Sequence, residues 1–216
     1  SKLEHPNIVR VVDFGQEHNS YYIVMELLSG PDLNRLIKEE KRIPLSNTVA
    51  ILRGVADALD YAHQNGLVHR DIKPSNVMLD SSTLPSRSVL TDFGIAKMVD
   101  AHTRITNTAG MLGTFDYMAP EQIQASADID GRADIYALGV MTYQMLTGCL
   151  PFDRPDTGAI LLAHLNAPPP DAREIVMDLP RPAARAIQQA MAKNTNDRFS
   201  TAKEFIAELE NAQMIA

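Results

Sequence analysis

Apolar positions near the start of the chain fall in two short runs, Ile8 to Phe14 and Tyr21 to Glu26, rich in β-branched and aromatic side chains and separated by Gly15 to Ser20. The pattern predicts two strands joined as a hairpin. Two strands alone are marginal in water, so the pair needs further strands or a packing partner. After Ser29-Gly30-Pro31 the period changes. Val49, Leu52, Val55, Ala56, Leu59 and Ala62 recur at helical spacing, and Asn65-Gly66 ends the run, which predicts a long amphipathic helix. Short apolar segments at Leu67-Val68, Val77 to Leu79 and Val89-Leu90 are each bounded by turn residues and predict small strands around a loop.

Between Asp92 and Glu121 the sequence holds several Gly and Thr residues and little periodicity, which marks a functional loop. Ala133 to Leu146 is apolar nearly all round, so this helix is expected in the middle of the fold, with Gly148 as its stop. Pro168-Pro169-Pro170 breaks the chain, and Pro182 to Ala192 and Thr201 to Glu210 predict two more helices, the last opened by a Thr-x-x-Glu capping box at Thr201 and Glu204. A further helical stretch is expected around Thr157 to Asn166. No internal repeat or low-complexity tract occurs. The fold class is α+β: a small strand remnant over residues 1–29, then a mainly helical body over residues 30–216.

Composition narrows the partners. With 216 residues, 45% apolar and 22% charged, the chain has the profile of one globular domain with a real core. A net charge of −7 argues against a nucleic-acid or anionic-membrane surface, which needs concentrated Lys and Arg. Cys149 is the single cysteine, so no intrachain disulfide forms and a reducing compartment is expected. No run reaches the ~18 apolar residues of a membrane span, and the N-terminus lacks a signal-peptide core, so the expected location is cytoplasmic.

The chemistry concentrates in His69-Arg70-Asp71-Ile72-Lys73-Pro74-Ser75-Asn76, which places a carboxylate, an ammonium and a carboxamide on a loop between short strands. Phosphoryl transfer needs each type. A carboxylate orients the attacking hydroxyl and takes its proton, an ammonium neutralises the transferring phosphoryl oxygens, and a hard oxygen ligand holds Mg²⁺. Asp71, Lys73 and Asn76 fit those roles in that order. Beyond them, Asp92-Phe93-Gly94 follows the apolar segment Val89 to Thr91 and supplies a second magnesium-binding carboxylate.

These residues, with Ala119-Pro120-Glu121 closing the long loop, resemble the catalytic, magnesium and substrate-loop motifs of the protein kinase superfamily, in order and in spacing. The likeness covers essentially the whole chain. His5-Pro6-Asn7-Ile8-Val9 resembles the turn into the fourth small-lobe strand, and Ile23-Val24-Met25-Glu26 the fifth strand and hinge. The resemblance implies ATP contacts from Met25 at the gatekeeper position, Glu26 to Leu28 at the adenine edge, Asp32 at the ribose, Met78 at the adenine floor and Lys73 at the phosphates. Core filling is the structural alternative for Met25 and Met78, and Asp32 reads equally as the N-cap of a helix starting at Leu33. Asp134 resembles the structural aspartate that holds the catalytic-loop backbone, and Arg198 the arginine that pairs with the motif glutamate, here Glu121.

Lys73, two residues after Asp71, is the serine/threonine rather than the tyrosine pattern, and Gly113-Thr114-Phe115-Asp116-Tyr117 agrees, with Thr114 implied beside Asp71 and Lys73. Arg70 suggests control by phosphorylation of the long loop, with Thr106 and Thr108 as acceptors. The runs Ile105 to Ala109 and Ala192 to Arg198 resemble bacterial receptor-type kinases of the PASTA-domain class. That resemblance implies ATP with Mg²⁺, or Mn²⁺ in its place, at Asn76 and Asp92, and a protein substrate. It also implies a kinase-domain dimer for trans-phosphorylation and a place as the cytosolic domain of a membrane receptor kinase. Within the 216 residues there is no Gly-x-Gly-x-x-Gly loop, no Val-Ala-Ile-Lys strand and no helix bearing the partner glutamate. Two readings follow: part of an active kinase domain, with little activity as a fragment, or a non-catalytic pseudokinase-like interaction module.

Overall fold

A computed structural model describes residues 3–18, 20–82, 87–93 and 115–214. Strand β1 (Val11–Glu17) pairs antiparallel with β2 (Ser20–Met25), from Val11 opposite Met25 to Glu17 opposite Ser20, with a register shift between Val11 and Asp13. The hairpin differs from the sequence expectation at both ends. Gly15 to Glu17 continue the ladder, because His18, at φ 45°, makes the turn. Ile8 and Val9 leave it, because Ile8 bridges Leu90 instead: the Leu90 amide donates to the Asn7 carbonyl at 2.8 Å and the Val9 amide to the Leu90 carbonyl at 3.0 Å. Side chains on both faces of the hairpin are exposed, including Phe14 at 75% and Tyr21 at 67%.

Helix α1 (Leu33–Glu40) precedes the long α2 (Leu45–Gln64), which buries the periodic set Val49, Leu52, Val55, Ala56, Leu59 and Ala62. Strands β3 (Val77–Asp80) and β4 (Arg87–Leu90) form a second antiparallel pair, with Val77 opposite Leu90. Leu67-Val68, expected as a strand, joins no ladder. The Leu67 amide turns back to the Ala62 carbonyl at 2.9 Å, and the next amides, of His69 and Arg70, are taken by a side chain, Asp134. Helix α3 (Pro120–Ile123) begins within the last residues of the segment expected to be loop, just after a 3₁₀ turn at Phe115–Tyr117.

Helix α4 (Arg132–Thr147) is the centre of the body, with Ile135, Tyr136, Leu138, Met141 and Met145 fully buried, and it ends at Gly148 with φ 79°. Around it pack α2, α6 (Arg181–Ala190) and α7 (Ala202–Met214), contributing Leu52, Ile187 and Phe205 to one core. Each large side chain so buried stabilises the fold by roughly 1.5–3 kcal/mol. Helix α5 (Thr157–Asn166) starts on an Asp156 cap that accepts from the Ala159 amide at 2.9 Å. At α7 the expected reciprocal cap forms: the Glu204 amide donates to Thr201 Oγ1 at 3.1 Å, and the Thr201 amide to Glu204 Oε2 at 3.3 Å. The buried Asp60 of α2 accepts the next two amides, Ala202 at 2.8 Å and Lys203 at 3.1 Å, which ties the long helix to the last one.

The described residues therefore hold two two-stranded sheets and seven α-helices, an α+β chain with a small strand pair ahead of a mainly helical body.

Candidate active site

The loop from His69 to Asn76 runs from α2 to β3, and its first peptides are held from α4. Asp134, in the first turn of α4 and 1% exposed, accepts the His69 amide at 2.8 Å, the Arg70 amide at 2.7 Å and His63 Nε2 at 2.8 Å. A carboxylate is favoured at a helix N-terminus, and three donors satisfy it there. The grip has a purpose, because Arg70 sits at φ 68°, a left-handed conformation that a non-glycine residue keeps only when its surroundings enforce it. The Arg70 guanidinium is half-buried and reaches the Ile129 carbonyl at 3.4 Å.

Three of the expected catalytic side chains meet directly. Asp71 Oδ2 lies 2.8 Å from Lys73 Nζ and 3.1 Å from Asn76 Nδ2, which also donates to the Asp71 carbonyl at 2.8 Å. The Asp71 and Lys73 side chains are 37% and 22% exposed, so their ion pair adds little to stability and its value is orientation. Asp92 follows β4 by two residues. The Thr91 amide and hydroxyl donate to the Asn76 carbonyl at 2.9 and 3.2 Å, so the two proposed metal ligands end the same strand pair. Asp92 itself is exposed and left-handed, at φ 59°.

His69, given no role from the sequence, joins these parts. The Asp71 amide donates to its Nδ1 at 3.3 Å, which leaves the proton on Nε2 to reach the Thr91 carbonyl at 2.9 Å. Its ring packs on Phe93 with centroids 4.6 Å apart. It opens the motif in the sequence, but its burial and its partners are visible only in the fold.

The donors present suit a hard divalent cation. Asn76 spends its Nδ2 on Asp71, and its Oδ1, which accepts the Ser75 hydroxyl at 3.4 Å, has a second lone pair to offer a metal, while Asp92 presents a carboxylate. Among the described residues no cluster of three or more His, Cys, Asp or Glu could cage a metal alone. Mg²⁺ takes one or two protein oxygens and fills the rest with phosphates and water, so the Asn76 and Asp92 oxygens suit it.

Glu121 and Arg198 meet in a buried two-pronged pair of 2.6 and 2.8 Å. The remaining guanidinium donors reach the Arg132, Ala192 and Lys193 carbonyls, and the cation lies 4.9 Å from the centre of the Tyr136 ring. Nearby, the Tyr117 hydroxyl donates to Gln144 Oε1 at 2.5 Å, and burial pushes its pKa up.

The expected nucleotide side is more open. Met25 is exposed at 37%, so it does not fill a core, while Met78 and Leu28 are half-buried. Glu26 Oε1 accepts the Arg10 amide at 3.1 Å, and Glu26 Oε2 lies 3.5 Å from Arg87. Asp32 takes the capping role, accepting the Arg35 amide at 2.7 Å, and pairs through its backbone with Met78. The segment from Ser29 to Pro31 lies against β3, with the Leu79 amide on the Pro31 carbonyl at 2.9 Å and Ser81 on Ser29 at 2.7 Å. Gly30, at φ 146°, is required there, since a side-chain carbon would strike the Leu79 carbonyl oxygen. Asp80 anchors this join: the Ser82 hydroxyl and amide, then Arg87 and the Ser29 amide, hold its carboxyl well below the usual range. Thr106, Thr108 and Thr114 lie outside the described residues.

A sequence profile for the protein kinase domain matches residues 1–209. Serine/threonine-protein kinase PrkC of Bacillus subtilis is 37% identical over 212 residues, which cover 98% of this chain and 32% of that protein. Serine/threonine-protein kinase Pkn1 of Myxococcus xanthus is 40% identical over 216 residues, 99% of this chain and 30% of that one. The chain thus spans about a third of these relatives' length. The solved kinase domain of PknI from Mycobacterium tuberculosis superposes with a TM-score of 0.76 at 32% identity, covering 97% of this chain and 73% of that one. By the profile match, by identity along nearly its whole length and by fold, the chain belongs to the protein kinase domain family.

Proposed function

We propose that this chain carries the catalytic centre of a serine/threonine protein kinase, transferring the γ-phosphoryl group of ATP to Ser or Thr hydroxyls of a protein substrate. The observation that carries the reading is the junction of Asp71, Lys73 and Asn76 at 2.8 and 3.1 Å, at the end of the strand pair that leads into Asp92. Both side-chain contacts fall on Oδ2 of Asp71, which leaves Oδ1 to accept the substrate hydroxyl proton. The substrate oxygen then bonds to the γ-phosphorus, the bond to the bridging oxygen breaks, and ADP leaves. Lys73 offsets charge on the transferring group, and Thr114 assists in placing the acceptor. Asn76 and Asp92 would hold Mg²⁺ or Mn²⁺, which when bound neutralises phosphate charge. Met25, Glu26, Leu28, Asp32 and Met78 would border the adenosine.

The names of the relatives and the serine/threonine pattern at Lys73 support the substrate class. Residues 1–29 are read as small lobe and hinge and residues 30–216 as large lobe, with the join at Gly30. Phosphorylation of Thr106 or Thr108, paired by Arg70, would order the substrate loop. Kinase domains meeting as a dimer would supply that phosphate in trans. No described helix is long and apolar enough to cross a membrane; a cytoplasmic kinase domain, free or attached to a receptor, is the proposed setting.

The test is phosphate transfer from Mg-ATP to an acceptor protein by the full-length protein. Asp71→Asn is expected to lower kcat by about 10²- to 10⁴-fold, the usual contribution of a general base, with the melting temperature unchanged. Unchanged turnover would remove Asp71 from the proposed role. The 216-residue chain alone, without a glycine-rich loop, is expected to bind Mg-ATP weakly; micromolar affinity by calorimetry contradicts that. Phosphopeptide mapping of the full-length protein after ATP treatment tests the threonines, and phosphate confined to other residues rules them out.

A further inference from the structure

Gln122 follows the motif glutamate in α3 and uses both ends of its carboxamide. Its Oε1 accepts the Ala119 amide at 3.0 Å, and its Nε2 donates to the Arg70 carbonyl at 2.9 Å. Ala119 has no side-chain acceptor, so Gln122 supplies the return half of a capping box and then extends it into the catalytic loop. Arg70 immediately precedes Asp71. Arg70 is therefore held on both sides of its Cα, with Asp134 accepting from its N–H at 2.7 Å and Gln122 donating to its C=O.

That carbonyl belongs to the peptide that carries Asp71, and the preceding torsion is the left-handed one of Arg70, at φ 68°. A non-glycine residue relaxes from that region unless held, and relaxation at Arg70 would swing the Asp71 side chain. Gln122, Arg70 and Asp71 also line one cavity, with Tyr117 and Met118, of about 10 Å³. Such a volume admits about one water-sized sphere, so little room separates α3 from the loop.

We propose that Gln122 is a positioning residue for Asp71, through which α3, anchored by the Glu121–Arg198 pair, sets the orientation of the catalytic carboxylate. The inference rests on the reading of Asp71 as proton acceptor. A carboxamide suits the task because one end must accept and the other donate. Glutamate has only acceptors at neutral pH. Gln122→Glu thus keeps the Ala119 bond and turns the other contact into oxygen against oxygen, while Gln122→Met keeps the length and removes both bonds.

The experiment is steady-state phosphorylation of casein by the full-length protein and its Gln122→Glu, Gln122→Met and Asp71→Asn variants, with urea unfolding of each. Positioning predicts that Gln122→Glu lowers kcat about tenfold or more, leaves the KM for ATP within twofold and shifts the unfolding midpoint little. Gln122→Met should show the same loss of kcat, and it replaces Gln122→Glu if that variant does not fold. If either folded variant keeps kcat within twofold of wild type, Gln122 is a helix cap only and the inference fails. An active wild type whose Asp71→Asn variant is equally active overturns the reading of Asp71 and this inference with it. A wild type that transfers nothing does the same.

Discussion

Arg198 and Glu121, 77 residues apart in sequence, share two hydrogen bonds of 2.6 and 2.8 Å with the Arg198 side chain wholly buried. Every guanidinium N–H has a partner, since the Arg132, Ala192 and Lys193 carbonyls take the others. The pair therefore fixes α3 to the connection between α6 and α7.

A buried pair of this kind is worth little against an apolar substitute but much against the loss of one partner, because the remaining charge stays buried. Arg198→Leu is expected to cost about 3–5 kcal/mol by urea unfolding. Adding Glu121→Leu should recover part of that loss, and only part, because three backbone carbonyls still lose their donor. A double-mutant cycle reads the coupling directly, and additive losses would show that the two side chains do not act as a pair.

Asp134 gathers the His69 and Arg70 amides and His63 Nε2 on its two oxygens. Asn in its place offers one acceptor and points an NH₂ at a donor. Asp134→Asn is expected to cost about 1.5–3 kcal/mol, the range for hydrogen bonds to a charged group. Because the lost bonds hold the His69 and Arg70 amides, just upstream of Asp71, phosphotransfer should fall even where circular dichroism shows the variant folded. Full activity in a folded variant would separate Asp134 from the catalytic loop.

His164 supplies a pH dependence unrelated to catalysis. It is fully buried, its Nδ1 meets the Tyr136 hydroxyl at 2.8 Å, and its Nε2 has no hydrogen-bond partner among the described residues. Burial, with help from the nearby Lys193 ammonium, pushes its pKa down to about 4 from 6.5. The unfolded chain then binds the extra proton first as pH drops. The contribution is intact above pH 6.5, is lost progressively toward pH 4 and is constant below. Between pH 7.5 and 5 wild type should lose about 2 kcal/mol more stability than His164→Gln, measured by urea unfolding at both values. Parallel pH profiles would contradict the burial of this histidine.

The hairpin of β1 and β2 gives the opposite expectation. Phe14 and Tyr21 are largely exposed, so Phe14→Ser and Tyr21→Ser should each change the stability of the 216-residue chain by no more than about 0.5 kcal/mol. Thermal melts of that chain check it. A loss of several kcal/mol would mean that these rings are packed in solution.

Much of the fold was legible because its signals are local. The spacing of Val49, Leu52, Val55 and Ala56 requires a helix with one buried face, the apolar run through Tyr136 and Met141 requires one buried all round, and Thr201 with Glu204 marks a helix start. Asp71, Lys73, Asn76 and Asp92 were legible in the same way, as residue types at a spacing. Leu67-Val68 was misread as a strand because its neighbours' amides go to Asp134, 65 and 64 residues away, which no window of sequence shows. Ile8 and Val9 fall outside the expected hairpin for a like reason, their partner being Leu90.

Taken alone, the order of residues pointed to the candidate side chains and determined which segments are helical, since both signals depend on neighbours a few positions apart. Tertiary structure alone decided which polar groups meet: Gln122 with the Arg70 carbonyl, His69 with Thr91, Asp60 with the start of α7. Those contacts arise because a buried donor or acceptor must find a partner wherever packing of the helices brings one, and that packing is a property of the whole chain.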